Sequence, residues 1–277
     1  MSETYILKRN IAAILVAMFF CAASLSAQPK HMSLYFENRV RQDIVHPDST
    51  TFGYYALLQI DSTYMNALGQ PYTVTNFKYY VSNIKLTDTN GKVFVHKDGY
   101  YLINQEDSAS HHIELNDVPP GYYGKISFTI GVDSLHNCSG AQSGALDPIN
   151  GMFWTWNSGY IFMKLEGKSP ASRQPGHTYE YHIGGYKAPA NCIRNVTLNI
   201  MERDAYMNDD IPAGIKPEDT LIMDGISIRA NVSAILSSHT RLDFSKMSSI
   251  TDFHNAEIVA DNYKDMFFMI GVSYDKK

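Results

Sequence analysis

Apolar and polar residues alternate with a period of two along most of this chain, which is the pattern of strands with one buried face. Leu34 and Phe36 share a face across Met32 to Glu37, and Tyr54 to Gln59 is a second apolar run. Tyr72 to Leu86 predicts one long strand or two short ones. Asp88-Thr89-Asn90-Gly91 is a turn signal, and Val93-Phe94-Val95 begins the returning strand of a hairpin. Pro119-Pro120-Gly121 marks another turn, followed by a strand over Gly124 to Val132. Trp154 to Leu165, His177 to Ile183, Asn195 to Met201 and Ile226 to Val232 continue the series. Strands at this spacing, separated by Gly, Pro, Asn and Asp, predict an all-β, antiparallel, sandwich-like single domain. One helix is expected near its C-terminal end, from Asp252 as cap to Lys264, with Phe253, Ala256, Ile258, Val259 and Tyr263 as an imperfect apolar stripe. Glu202 to Thr220 is acidic and broken by Pro212, Gly214 and Pro217, so it reads as a surface loop. Neither an internal repeat nor a second domain boundary is visible.

The first 27 residues break the pattern. Lys8 and Arg9 precede a short apolar run from Ile11 to Ala23, and Leu25-Ser26-Ala27 supplies small residues for cleavage before Gln28. We expect residues 1–27 to be a signal peptide and residues 28–277 to be the β domain, placed in the periplasm or secreted. Met18-Phe19-Phe20 before Cys21 lacks the small residues of a lipid-attachment site. No later segment is long and apolar enough for a membrane-spanning helix, so none is expected in the mature chain. About 250 residues remain after cleavage, enough for a substantial core without cross-links. A net charge of −5 without any Lys/Arg run gives no source for the phosphate neutralisation that drives nucleic-acid binding.

Cys138 and Cys192 remain after cleavage, an even pair in an oxidising compartment. A disulfide between them is expected, and closing a loop of that length would contribute roughly 4 kcal/mol in the chain-entropy model. A pair of thiolate metal ligands is the alternative. GxSxG, HExxH, CxxC and GxGxxG are absent, and the carboxylates are scattered, so no enzymatic activity is expected. Met201, Met207 and Met223 offer soft thioethers but lack a tight repeat, which favours packing over copper ligation.

Both tryptophans fall within Met152 to Asn157, where a strand would project Met152, Trp154 and Trp156 from one face, as a core wall or the wall of a binding site. His136 and His177 flank this segment together with His182, which precedes Gly184-Gly185, where backbone can be approached closely. His182 is either a hydrogen-bonded structural residue or a site residue at a strand end. His111-His112 reads as a solvated pair.

Five blocks, in order, carry a resemblance: FKYYVSNIKL at Phe77 to Leu86, IGVDSLHN at Ile130 to Asn137, GALDPINGMFWTWNSGYIFMKLEG at Gly144 to Gly167, YHIGGY at Tyr181 to Tyr186, and AEIVADNYKDMF at Ala256 to Phe267. Through them the chain resembles the MbnP-like family of exported copper-binding proteins. The resemblance implies a β-sandwich-like exported protein. It also implies copper held by histidines and by a tryptophan oxidised to kynurenine, a change that needs a separate haem enzyme as partner. Kynurenine has an amine and a carbonyl where indole has no ligand lone pair. On this chain the matching residues are Trp154, Trp156 and His182. Family members often carry Asn-His where this chain has Asn137-Cys138, so the nearest imidazole here is His136. The expected copper ligands are therefore His182 and His136, with a modified tryptophan as third. The competing expectation is a non-metal binding or structural module that uses its aromatic surface.

Overall fold

A computed structural model describes residues 30–45, 51–97, 99–154, 159–188, 190–200, 221–251, 253 and 255–276. The strands in chain order are β1 (Lys30–Val45), β2 (Thr51–Leu57), β3 (Thr63–Met65), β4 (Pro71–Asp88), β5 (Val93–Val95), β6 (Tyr100–Asn104), β7 (His112–Val118), β8 (Tyr123–Ile130) and β9 (Phe153–Trp154). They continue as β10 (Gly159–Lys168), β11 (Thr178–Gly184), β12 (Tyr186–Lys187), β13 (Ala190–Asn191), β14 (Arg194–Asn199), β15 (Leu221–Asn231), β16 (Ser249–Ile250) and β17 (Phe267–Lys276). Among the described residues three short α-helices accompany them: α1 (Ser134–Cys138), α2 (Val232–Ile235) and α3 (Ala256–Lys264). The expected all-β domain is present.

Among the described residues two large sheets form, and β12 and β13 pair as a separate two-stranded ribbon. The smaller of the two large sheets has the order β17-β15-β1-β2, with β7 paired to the first half of β1. The larger runs β14-β8-β4-β10-β11-β16, with β3, β5 and β6 also on β4 and β9 on β10. Two pairings depart from the antiparallel expectation. β1 lies parallel to β15 and β11 lies parallel to β16. A parallel neighbour needs a long crossover, and the chain between β1 and β15 supplies one.

β4 is the spine of the larger sheet. Tyr72 and Val74 are buried on one phase and Phe77, Tyr79 and Val81 on the other, the phase changing across Thr75-Asn76 where the register with β10 also shifts; on either side of that irregularity the period-two pattern of the sequence holds. It is one long strand interrupted at Asn83, which takes a left-handed conformation (φ 51°) where the register with β8 shifts. Asn tolerates this geometry better than other non-glycine residues.

The two sheets meet through aromatic rings. Phe36 of β1 packs edge-on against Phe128 of β8 (5.8 Å) and Tyr79 of β4 (6.4 Å), and Phe267 of β17 packs edge-on against Phe128 (5.1 Å) and Tyr79 (5.7 Å). The Tyr79 hydroxyl donates to Asn38 Oδ1 (3.1 Å), which satisfies both groups inside the core. A second aromatic group, Tyr72, Tyr179 and Phe244, fixes the loop before β16, with Tyr179 and Phe244 at 4.6 Å.

The C-terminal helix α3 begins at Ala256, later than expected, and Asn255 precedes it without a side-chain cap; Asp252 lies outside the described residues. Val259, Ala260 and Tyr263 are buried, whereas Phe253 is largely exposed. Asn262 braces the helix, donating to the carbonyls of Ile235 and Thr240 and accepting from the amides of His239 and Thr240. The expected loop from Glu202 to Thr220 lies outside the described residues. β6, β7 and β17 were not among the expected strands.

Gly167 sits where β10 crosses β4 most closely. A Cβ there would fall 1.8 Å from the Thr73 carbonyl oxygen and 2.7 Å from the Tyr179 hydroxyl, whereas one on Gly271 would meet nothing within 4 Å. Gly167→Ala is expected to lose about 3 kcal/mol of stability through forced backbone displacement, and Gly271→Ala to stay within about 0.5 kcal/mol of the parent. Urea unfolding of the two variants checks the contrast.

Candidate metal site on the outer face of the large sheet

Strand alternation builds a polar patch on the face of β4, β10 and β11 that points away from the core. On β11, Tyr179, Tyr181 and Ile183 are buried, so Glu180, His182 and Gly184 face the other way. Lys164 of β10 stands opposite both Lys78 of β4 and His182 of β11. Glu166 stands opposite Asn76 and Glu180.

The patch is ordered by charge. Glu166 Oε1 lies 2.6 Å from His182 Nε2, and its Oε2 accepts from Asn76 Nδ2 at 3.0 Å. The hydrogen bond from His182 is the largest influence holding the Glu166 carboxyl below its ordinary value; burial opposes it, and Asn76 and the Lys164 ammonium help. An ionised carboxylate only accepts, so His182 Nε2 carries the proton, and Nδ1 is the ring nitrogen left for a further partner. That nitrogen makes no hydrogen bond to a described residue. Burial lowers the Lys164 pKa, partly offset by Glu166. Lys164 Nζ donates to the Gly151 carbonyl (2.6 Å) and Lys78 Nζ to the Asn150 carbonyl (3.3 Å). The two lysines thereby hold the loop that leads into Trp154.

Trp154 is 5% exposed and its ring lies edge-on to Phe253 (5.8 Å). Its Cζ3 and Cη2 atoms occupy the space beside Gly184, where a Cβ would fall 2.7 and 2.8 Å from them. Gly184 follows His182 by two residues, so the indole rests on the same face as the imidazole. The expected close approach at the glycine pair is made by backbone, the Tyr160 carbonyl at Gly184 and the Ala190 carbonyl at Gly185, with the Trp154 ring beside Gly184. β9 is shorter than the strand expected over Met152 to Asn157, and Trp156 lies outside the described residues.

His136 lies elsewhere. It belongs to α1, where Asp133 is the N-cap, and its Nδ1 contacts the Asp133 carboxylate (3.1 Å) and the Tyr100 hydroxyl (2.8 Å). Burial acts to raise the Asp133 pKa, but hydrogen bonds from Tyr100 and His136 outweigh it and hold the carboxyl below its ordinary value. His136 is therefore engaged through Nδ1, and Nε2 is the ring nitrogen left for a further partner. Tyr100 pairs with Ser82 of β4, whereas Lys164, opposite His182, pairs with Lys78, four residues back, roughly 13 Å by strand rise. The structure does not bring His182 and His136 together. Among the described residues no group of three His, Cys, Asp or Glu side chains could hold a metal ion. The donor type of His182 fits copper; the described residues by themselves do not complete a copper centre.

The expected disulfide is absent: both cysteines are free. Cys138, at the end of α1, is exposed, and its thiol donates to the Tyr186 hydroxyl (3.2 Å). Cys192 is sealed in the core, where burial pushes its thiol up to about 12. One sulfur faces outward and the other inward, so the two are not presented to each other.

Sequence inspection missed Glu166, Lys164, Lys78 and Asn76. Lys164 and Glu166 do alternate with buried Met163 and Leu165, which marks them as outward. Only strand register places them beside His182.

The architecture defines an all-β domain of two large packed sheets with an imidazole–carboxylate pair on one outer face. The sequence profile of the MbnP family matches residues 29–246, and the chain belongs to that family. It is similar in structure to MbnP from Methylosinus trichosporium, with a TM-score of 0.48, 14% identity, and 79% of this chain and 80% of that one covered. No curated protein matches its sequence. Among the described residues no helix is long and apolar enough to cross a membrane.

Two outcomes follow from these geometries. Stability owed to a carboxyl with a lowered folded pKa is present above its unfolded value and fades as pH falls through the folded one. Glu166→Gln should be less stable than the parent at neutral pH by about 1–2 kcal/mol, with the gap closing as pH drops below the ordinary carboxyl value of 4.5; urea midpoints across that range check it. In protein lacking residues 1–27, a thiol reagent should modify Cys138 in the native state and Cys192 only after unfolding. Native labelling of both, or of neither, contradicts this arrangement.

Proposed function

We propose that this chain is an exported, non-enzymatic copper-binding member of the MbnP family, with His182 as its principal protein ligand. The observation that carries the reading is the Glu166–His182 pair. A carboxylate on one ring nitrogen fixes the tautomer and leaves the other free for a metal, the usual surroundings of a ligating histidine. Imidazole suits copper in either of its common oxidation states. Trp154 shares the face of His182, and this supports a tryptophan, Trp154 or Trp156, as the residue that a separate haem enzyme would oxidise. His136, held by Asp133 and Tyr100, stands as a separate imidazole with its own free nitrogen. Export by way of residues 1–27 belongs to the same proposal.

The chief rival is a non-metal binding module, favoured by the exposed Phe52 and Tyr54 on β2. Copper titration of the purified protein separates the two. His182→Ala should weaken copper binding at least tenfold, in the range that loss of a ligand's support already produces, whereas His136→Ala should change it less. Intact mass of protein from its native host should show the gain of one oxygen and loss of one carbon expected for kynurenine. Parent-like copper affinity in His182→Ala would hand the lead to the binding module.

A further inference from the structure

A second concave site lies at the far end of β4, independent of the histidine patch. Asp88 is ten residues along β4 from Lys78, roughly 33 Å by strand rise. There a cleft of about 390 Å³ opens between β5 and the turn joining β7 to β8, within the size range of small-molecule sites. Its apolar wall is made by Val93, Phe94, Val95, Pro119, Pro120 and Tyr123. Val93 and Val95 are 49% and 45% exposed, a large fraction for valines in a strand.

The polar groups of the cleft are unequal. The Tyr123 hydroxyl donates to the Pro119 carbonyl (2.6 Å), and burial, with the Asp88 charge, pushes its pKa up to about 12, so it stays neutral. The Asp88 carboxylate is engaged by its own turn, accepting from the amides of Asn90 and Lys92, both at 2.8 Å. Lys92 and Lys97 also line the cleft, and both are exposed. Among the described residues that line it, the cleft has an apolar wall, two cations and a single carboxylate already in use. A cation would be repelled there. A small inorganic anion would leave the apolar wall wet, and a neutral hydrocarbon would leave the lysines without a role.

We propose that this cleft binds a small amphipathic anion, one carboxylate or sulfonate on a hydrocarbon or aromatic body. The head lies toward Lys92 and Lys97, and the body covers Val93, Val95 and Pro119. Nothing in this assignment depends on copper.

Decanoate is a suitable probe, titrated into the mature protein with the methyl resonances of Val93 and Val95 as the readout. Saturable shifts concentrated on those methyls are expected. The double variant Lys92→Glu/Lys97→Glu, both side chains at the surface, should raise the dissociation constant about tenfold or more, each factor of ten being about 1.4 kcal/mol, while leaving the melting temperature unchanged. 1-Decanol should bind more weakly than decanoate to the parent and equally to parent and variant. The proposal is overturned if decanoate gives no saturable shift at these methyls below its self-association concentration. It is equally overturned if the double variant binds decanoate as the parent does, or if 1-decanol binds the parent as tightly as decanoate.

Discussion

The interlocking of four aromatic rings between the two sheets is the contact on which the rest of this structure depends. Phe36 and Phe267 come from the smaller sheet, Tyr79 and Phe128 from the larger, and they meet edge to face at centroid separations from 5.1 to 6.4 Å. Burial of each such ring is worth about 2 kcal/mol, and the edge-on geometry adds roughly 0.5–1.5 kcal/mol per pair. The geometry matters as much as the area. It sets the rotation of β4 about its own axis, and with it which residues of β4 point outward. Asn76 and Lys78 are on the outer face because Phe77 and Tyr79 are committed to the inner one.

From β4 the constraint passes outward through register. Lys78, Lys164 and His182 line up across three strands, and Asn76, Glu166 and Glu180 line up in the next row. Cross-strand neighbours on one face are close enough to interact. Here the diagonal contact between Glu166 and His182 dominates, because a half-buried carboxylate gains more from an N–H donor than from solvent. The lysines, partly removed from water, take backbone carbonyls of the loop above them. The same loop carries Trp154 to its place over Gly184. A fold held by aromatic packing thus ends in a small electrostatic arrangement that fixes one imidazole tautomer.

The two histidines singled out in the sequence end in equivalent but separate settings. Each has a carboxylate at one ring nitrogen, His182 through Glu166 at Nε2 and His136 through Asp133 at Nδ1. Cys138 puts a thiol at the end of α1, and that thiol donates to the Tyr186 hydroxyl. Asn137 itself is buried and accepts from the Tyr160 amide, tying α1 to β10. The helix is therefore anchored by its asparagine, with its imidazole turned toward Tyr100 and not toward β11.

Much of the fold could be read from local pattern. The alternation in Met32 to Glu37 and, with one change of phase, in Tyr72 to Leu86 is present in the strands observed, and the turn at Asp88 to Gly91 returns into β5 as expected; the single run expected from Trp154 to Leu165 is instead divided between the antiparallel strands β9 and β10. β7 was overlooked although His112 to Val118 alternates, because the paired histidines before it looked like loop. β17 was overlooked because its apolar run follows directly on the helix. The family blocks were equally plain in the sequence, and so were Trp154 and His182 as members of them. Register, by contrast, joins segments far apart in the chain and is set by which rings fill the core. For that reason the parallel pairing of β1 with β15, the Glu166–His182 contact, the distance between His136 and His182, and the opposite orientations of Cys138 and Cys192 were decided by the tertiary structure and by nothing shorter in range.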